Sequence, residues 1–297
     1  MFSLSYGFGQ SIIISEEIVL YNDSIKLPGT LSYAKTRSPL VIWIHGSGGI
    51  DRNGNQGSVV KANYIQLCRE ALNNEGISFF SYDKRTAQKE NLKFLKNVLF
   101  TDFVADAKKV LSHFKNDTRF TKIILIGHSQ GSLVAMLASK DANGFISIAG
   151  PGEPIDKTMV KQITKQNAAL GGYAAAHFKE LKETGTIKTV NPFLISVFAK
   201  QNLAFLNSWA SYNPIEEIKK IQIPTLLIQG NKDLQVTLED AALLHKAKMN
   251  SELVIINNMN HVLKEITLDA DNMKSYYTAD FPLAKELTKT IVAFIKK

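Results

Sequence analysis

Cysteine is almost missing from this chain: Cys68 is the only one. A single thiol closes no internal disulfide and builds no zinc site of the usual spacing, so a disulfide scaffold and a structural zinc module are excluded. Its place on the apolar face of a helical pattern marks Cys68 as packing and not as a nucleophile. Long hydrophobic runs are missing too. No stretch approaches the ~18–20 apolar residues that span a bilayer, which excludes a membrane-spanning chain. Arginine is scarce, with only Arg37, Arg52, Arg69, Arg85 and Arg119 among 35 basic residues. The net charge of +8 therefore rests on dispersed lysines, most with Glu or Asp nearby. An Arg- and aromatic-rich stripe is lacking, so no nucleic-acid partner is expected.

With 45% hydrophobic and 21% charged residues, the composition is that of a folded domain. A length of 297 residues suggests about two domains, although α/β folds often spend it on one. Residues 1–10 have no basic start and too short an apolar stretch for a full signal peptide. They read as a short leader, consistent with a cytoplasmic protein. The stretch Gly7-Phe8-Gly9 is similar to a small-x-small cleavage site, which keeps export open as the alternative.

What the chain does have is a regular alternation of strand and helix patterns. Runs at 11–20 and 24–34 flank the turn Tyr21-Asn22-Asp23-Ser24, a predicted antiparallel hairpin. LVIWIH at 40–45 is apolar without alternation, as in a strand covered on both faces. A Gly- and Asn-rich loop at 46–57 leads to a helix predicted over 59–75, where Gly76 stops it. Further strands are predicted at 77–82, 122–127, 144–149, 223–229 and 253–257, and helices at 101–115, 130–139 and 283–295. Alternating units of this kind indicate an α/β fold with a mostly parallel central sheet and helices on both faces. Between 149 and 223 the alternation stops, and an unstructured loop of that size does not suit a compact domain. Residues 153–212 are therefore assigned to a helical lid insertion, and 1–152 with 213–297 to the core.

Gly127-His128-Ser129-Gln130-Gly131 carries the strongest chemical signal, a G-x-S-x-G between an apolar strand and a helical run. That is the strand–turn–helix setting of a nucleophile elbow. Glycines two residues either side let strand and helix approach, which leaves the Ser129 hydroxyl standing free. A serine hydroxyl needs a base, and the base needs a carboxylate to orient it. In this fold type the order is Ser, acid, His. Of the histidines after Ser129, His177 lies in the insertion and His245 sits mid-helix. His261 falls in a polar loop just after a strand, where a base should be presented. Asp233 stands directly after the 223–229 strand and is the predicted acid. Asp141 and Asp156 are placed elsewhere, and Asp240 reads as a first-turn helix residue. Backbone N–H groups of Ser47 and Gln130 are the predicted oxyanion donors, with His45 and Gly46 supporting the first loop. This set requires no metal and no cofactor.

Together these motifs resemble the α/β-hydrolase superfamily, and within it the bacterial esterases grouped with serine aminopeptidases and acylaminoacyl-peptidase-like proteins. The similarity runs from about Glu16 to the C-terminus. It rests on HGSGGIDRNG at 45–54, SYDKR at 81–85, GHSQG at 127–131, AGPG at 149–152, the stretch 212–236 and MNHVLKE at 259–265. The resemblance implies nucleophile, acid and base at Ser129, Asp233 and His261, the residues reached from chain order. One departure stands out. Relatives carry Gly-x-Gly after the Tyr-Asp-Lys-Arg motif, whereas Arg85 is followed here by Thr86-Ala87-Gln88-Lys89-Glu90. That loop borders the active-site mouth in the family, so substrate choice there is expected to differ.

The expected activity is hydrolysis of small esters of short to medium acyl chain. The alternatives are an aminopeptidase or acylaminoacyl peptidase, needing a group such as Glu153 or Glu216 to hold a substrate terminus, an acyltransferase, and a non-catalytic binding protein. Tyr173, Phe178, Phe193 and Phe198 in the insertion offer either an apolar acyl wall or ordinary helix packing.

Overall fold

Strands apolar at every position can only be stable with both faces covered, and the chain arranges them in that way. The computed structural model describes residues 12–297, so the leader expected at 1–10 lies outside the described residues. Strands β1 (Ile13–Asn22) and β2 (Ile25–Ala34) form the antiparallel hairpin. The turn is tighter than expected, because Tyr21 and Asn22 stay in the ladder and only Asp23 (φ 52°) and Ser24 turn the chain. Next come β3 (Ser38–Ile44) and a small ribbon of β4 (Asn55–Gln56) with β5 (Val60–Lys61). The ribbon takes the start of the helix expected from 59, and α1 spans Tyr64–Asn74. Asn63 explains the shift. It sits in the left-handed region (φ 47°), and its N–H donates to Asn55 Oδ1 at 3.0 Å, so a helix cannot run back through it.

The next five regular elements lie within two residues of the ranges read from the sequence. They are β6 (Ser78–Tyr82), α2 (Phe100–Phe114), β7 (Phe120–His128), α3 (Gln130–Ala138) and β8 (Gly144–Ile148). Four helices follow: α4 (Ile155–Gln166), α5 (Ala168–Thr184), α6 (Ile195–Phe198) and α7 (Lys200–Ala210). The chain then returns through α8 (Pro214–Lys219), β9 (Thr225–Gly230), α9 (Leu238–Ala247), β10 (Glu252–Ile256) and α10 (Lys285–Ile295).

Eight strands make one sheet in the order β1-β2-β6-β3-β7-β8-β9-β10. The β1–β2 and β2–β6 pairs are antiparallel and the rest parallel. Period-two alternation splits each central strand between two cores. Leu40, Ile42, Ile123 and Leu125 face α2 and α3, whereas Val41, Trp43, Ile124 and Ile126 face α1 and α10. Burying each such side chain stabilises the fold by ~1.5–3 kcal/mol. Helices α4–α7 hold a separate apolar cluster that includes Phe178, Leu181, Phe198 and Leu203. They dock on the sheet side through α7, where Trp209 stacks on Phe100 at 5.5 Å with the rings 2° from parallel.

Candidate active site

The carboxyl ends of β3, β7, β9 and β10 meet at one edge of the sheet, where loops are free to carry side chains. Ser129 joins β7 to α3 with φ 55° and ψ −123°, a conformation costly for a residue with a Cβ. The neighbouring glycines make it feasible. A Cβ on Gly127 would lie 2.7 Å from Ser132 Cα, and one on Gly131 would lie 2.5 Å from the His45 carbonyl oxygen. Gly46 likewise brings the loop after β3 against the nucleophile, where an added Cβ would stand 3.2 Å from Ser129 Cβ. Ser129 is half-buried and lines a cavity of about 770 Å³.

His261 lines the same cavity. Its Nδ1 lies 2.8 Å from Asp233 Oδ2, with both side chains buried. A carboxylate only accepts, so Nδ1 carries the proton and the Nε2 lone pair is free to act as a base. Burial opposes the charge on Asp233, but attraction to His261, their hydrogen bond, and the Val236 and Gln235 N–H groups outweigh it. The Asp233 pKa falls below its usual value. Those amides donate to Oδ1 at 3.0 and 2.7 Å, and the Gln229 amide donates to Oδ2 at 3.2 Å. Ser129 and His261 line the cavity side by side with the Gln130 and Val262 residues that follow them.

His128 contributes more than spacing. Its Nε2 donates to the His261 carbonyl at 2.8 Å, and the two rings lie 4.8 Å apart. Burial and the neighbouring His261 lower its pKa to about 3, so it stays neutral with the proton on Nε2. The His261 loop is further held by Asn260, whose amide donates to Ser275 Oγ at 2.8 Å. Left-handed residues Asn258 (φ 61°) and Leu263 (φ 63°) flank it.

The Ser47 and Gln130 amides have no protein acceptor among the described residues, and Gln130 opens α3, where a helix N-terminus favours negative charge. His45, at the start of this loop, is buried. Its ring meets Tyr82 edge-on at 5.0 Å, and neither nitrogen finds a hydrogen-bond partner. Gly46 is instead held by Lys84, a residue to which the sequence pattern assigns no role: its Nζ donates to the Gly46 carbonyl at 2.6 Å. The SYDKR motif is the only pointer to it.

The other candidates fall away from the site. His177 accepts from the Asn191 N–H, and His245 pairs with Ser251. Asp141 pairs with Lys115 and Asp156 with Lys182, while Asp240 caps α9 with Thr237. Cys68 is buried, its thiol pushed up to about 12 by desolvation. Of the two roles open to the insertion's aromatics, acyl wall or helix packing, the cavity lining supports the second for Phe178 and Phe198. Phe178 and Phe198 pack on each other at 4.9 Å, and Tyr173 and Phe193 are exposed. The apolar wall comes from Ile155, Met159, Phe205, Leu206 and Trp209, which the helical spacing alone does not single out. Residues 86–90, where the sequence departs from its relatives, do not line the cavity; Thr86 hydrogen-bonds to the Gly48 carbonyl at 3.1 Å. Among the described residues, no helix is long and apolar enough to cross a membrane, and no cluster of three His, Cys, Asp or Glu gathers to hold a metal.

Residues 29–248 match the family model described as BD-FAE. The esterase EstD of Thermotoga maritima is 26% identical over 250 residues, covering 80% of this chain. The chain spans only 58% of that relative's length. Among solved structures, Est1E from Butyrivibrio proteoclasticus superposes with a TM-score of 0.60 at 19% identity, covering 95% of this chain and 99% of that one. The Pyrococcus furiosus esterase Pf2001 gives 0.62 at 19% identity, covering 96% and 91%. With its mostly parallel sheet, its helices on both faces and the match over 29–248, the chain belongs to the BD-FAE family and has the α/β-hydrolase fold.

Proposed function

We propose that this chain is a serine hydrolase that cleaves small carboxylic esters of short to medium acyl chain, with residues 153–212 acting as a helical lid over the site. Support comes above all from one observation. Ser129, on a strained elbow, shares a cavity with a histidine whose tautomer Asp233 sets, and no Asp, Glu, Lys or Arg lines that cavity among the described residues.

Ser129 Oγ attacks the ester carbonyl while His261 Nε2 takes its proton. The tetrahedral oxygen accepts hydrogen bonds from the Ser47 and Gln130 N–H groups. The imidazolium then passes its proton to the departing alkoxide, leaving an acyl-enzyme. Water, deprotonated by His261, attacks the acyl carbonyl and Ser129 leaves with the proton. Met159, Phe205, Leu206 and Trp209 suit an apolar acyl chain of limited length. A free amino terminus would call for a carboxylate, yet Glu153 is paired with Lys161, Glu216 with Lys219, and neither lines the cavity. An ester fits this uncharged surface better than a peptide terminus. The name esterase carried by EstD and Pf2001 agrees with this assignment.

Ser129→Ala is expected to abolish hydrolysis of short-chain p-nitrophenyl esters and labelling by a fluorophosphonate, with the melting temperature unchanged. Turnover retained in that variant would overturn the assignment, and faster turnover of aminoacyl amides than of esters would move it to a peptidase.

A further inference from the structure

Lys84 takes no part in the steps above, yet it is only 5% exposed and sits among the groups that the steps require. Its ammonium donates to the Gly46 carbonyl at 2.6 Å and to Gln130 Oε1 at 2.6 Å, and it lies 4.3 Å from the centroid of the Phe103 ring. The Gly46 carbonyl and the Ser47 N–H belong to one planar peptide unit, so fixing the oxygen also fixes the direction of the N–H. A cation on that oxygen also draws electron density through the amide and makes the N–H a stronger donor. Gln130 supplies the other N–H. One side chain therefore holds the peptide oxygen that precedes the Ser47 N–H and the side chain of Gln130.

The charged surroundings do not offer Lys84 a conventional ion pair. Asp106 faces it from α2, but the Arg85 guanidinium occupies both carboxylate oxygens of Asp106, at 2.7 and 2.8 Å. His45 and Tyr82 share the small space between Lys84, Phe103 and Asp106. His45 is neutral there, its pKa lowered to about 3 by burial and then by Lys84 itself. A buried lysine without its own carboxylate is expensive to keep, and here the neutral acceptors it reaches are the Gly46 carbonyl and the Gln130 side-chain amide oxygen.

We propose that Lys84 is a positioning residue of the oxyanion hole: its ammonium orients and polarises the peptide between Gly46 and Ser47 and pins Gln130, so both N–H donors are aimed before substrate arrives. This rests on the assignment of Ser47 and Gln130 as donors in an ester hydrolase. Desolvation is the main influence on the ammonium and lowers its pKa to about 7, with Asp106 acting the other way. The charge is therefore present below that value and lost as pH rises through it. The neutral amine still donates hydrogen bonds but no longer polarises the peptide.

The test is Lys84→Met, with kcat and KM for a short-chain p-nitrophenyl ester measured from mildly acid to alkaline pH. On the acid side, kcat is expected to fall by about 10²-fold, the scale of losing one oxyanion donor, with KM nearly unchanged. The alkaline decline of the parent should disappear, while the melting temperature stays level or rises because a buried charge is gone. Gln130→Glu, which puts a carboxylate against Nζ, should move the parent's alkaline decline to higher pH, and this arm stands if Lys84→Met fails to fold. Parent-like kcat and pH profile in Lys84→Met, or an unmoved decline in folded Gln130→Glu, would overturn the proposal. So would a kcat loss that tracks stability at every pH. Failure of the hydrolase assignment shows separately, as turnover surviving in Ser129→Ala, and would take this inference with it.

Discussion

On the sheet side of the cavity, Gly127 and Gly131 leave no space for a Cβ, Gly46 leaves little, and Ser129 is held in a conformation it would not choose. On the helical side, α4–α7 carry their own small cluster, with Phe193 81% and Tyr173 55% exposed and ion pairs such as Lys179–Glu183 on the surface. At Gly127 and Gly131 the first side is fixed by backbone contacts that tolerate no added atom. The other is an apolar wall that needs bulk and fit more than particular side chains. Under the proposed function, chemistry depends on the first and substrate size on the second.

The largest effect should come from Asp233→Asn. The amide would stabilise the wrong tautomer of His261 and lower kcat by about 10³–10⁴-fold, measured on p-nitrophenyl esters. The same variant carries a pH signature. The Asp233 pKa is depressed from 3.8, so its stabilising contribution is present above that value and lost as pH falls through the folded pKa. Asp233→Asn should therefore flatten the acid-side decline of the melting temperature. Next is Gly131→Ala, where the new methyl meets the Ile44 and His45 carbonyls. A stability loss of ~3 kcal/mol or more, read by urea unfolding, is expected together with loss of activity. Full stability in that variant would break the claim that the sheet side is sterically fixed.

Trp209→Ala sits between the two regions, since this ring both stacks on Phe100 and lines the cavity. It should cost ~3 kcal/mol and raise KM for longer acyl chains more than it lowers kcat. Phe193→Ser, on the exposed part of the helical side, should change unfolding free energy by no more than ~0.5 kcal/mol and leave kinetics as they are. A marked kinetic change there would mean that this surface closes over substrate.

Much of the sheet side was legible because its requirements are local. A glycine two residues from Ser129 and a polar loop after an apolar strand leave a mark within a few positions, and such local marks point to Ser129, Asp233 and His261. The helical side was not. Phe178 and Phe205 carry the same helical-spacing signal, and only the packing of α7 on Phe100 sends Phe205 to the cavity and Phe178 into the α4–α7 cluster. The β4–β5 ribbon was missed for a related reason. Val60 matches the apolar stripe of α1, but the Asn55–Asn63 contact across the loop overrides that periodicity.

The amino-acid sequence by itself determined the order of elements, the two-faced strands and the elbow, because periodicity and steric exclusion act between near neighbours. Tertiary structure alone decided that Lys84 reaches both Gly46 and Gln130, that His128 holds the His261 carbonyl, and which aromatics wall the cavity. These contacts join residues from separate strands and loops, and the directions of their side chains follow from how the sheet and helices pack, which no local pattern encodes.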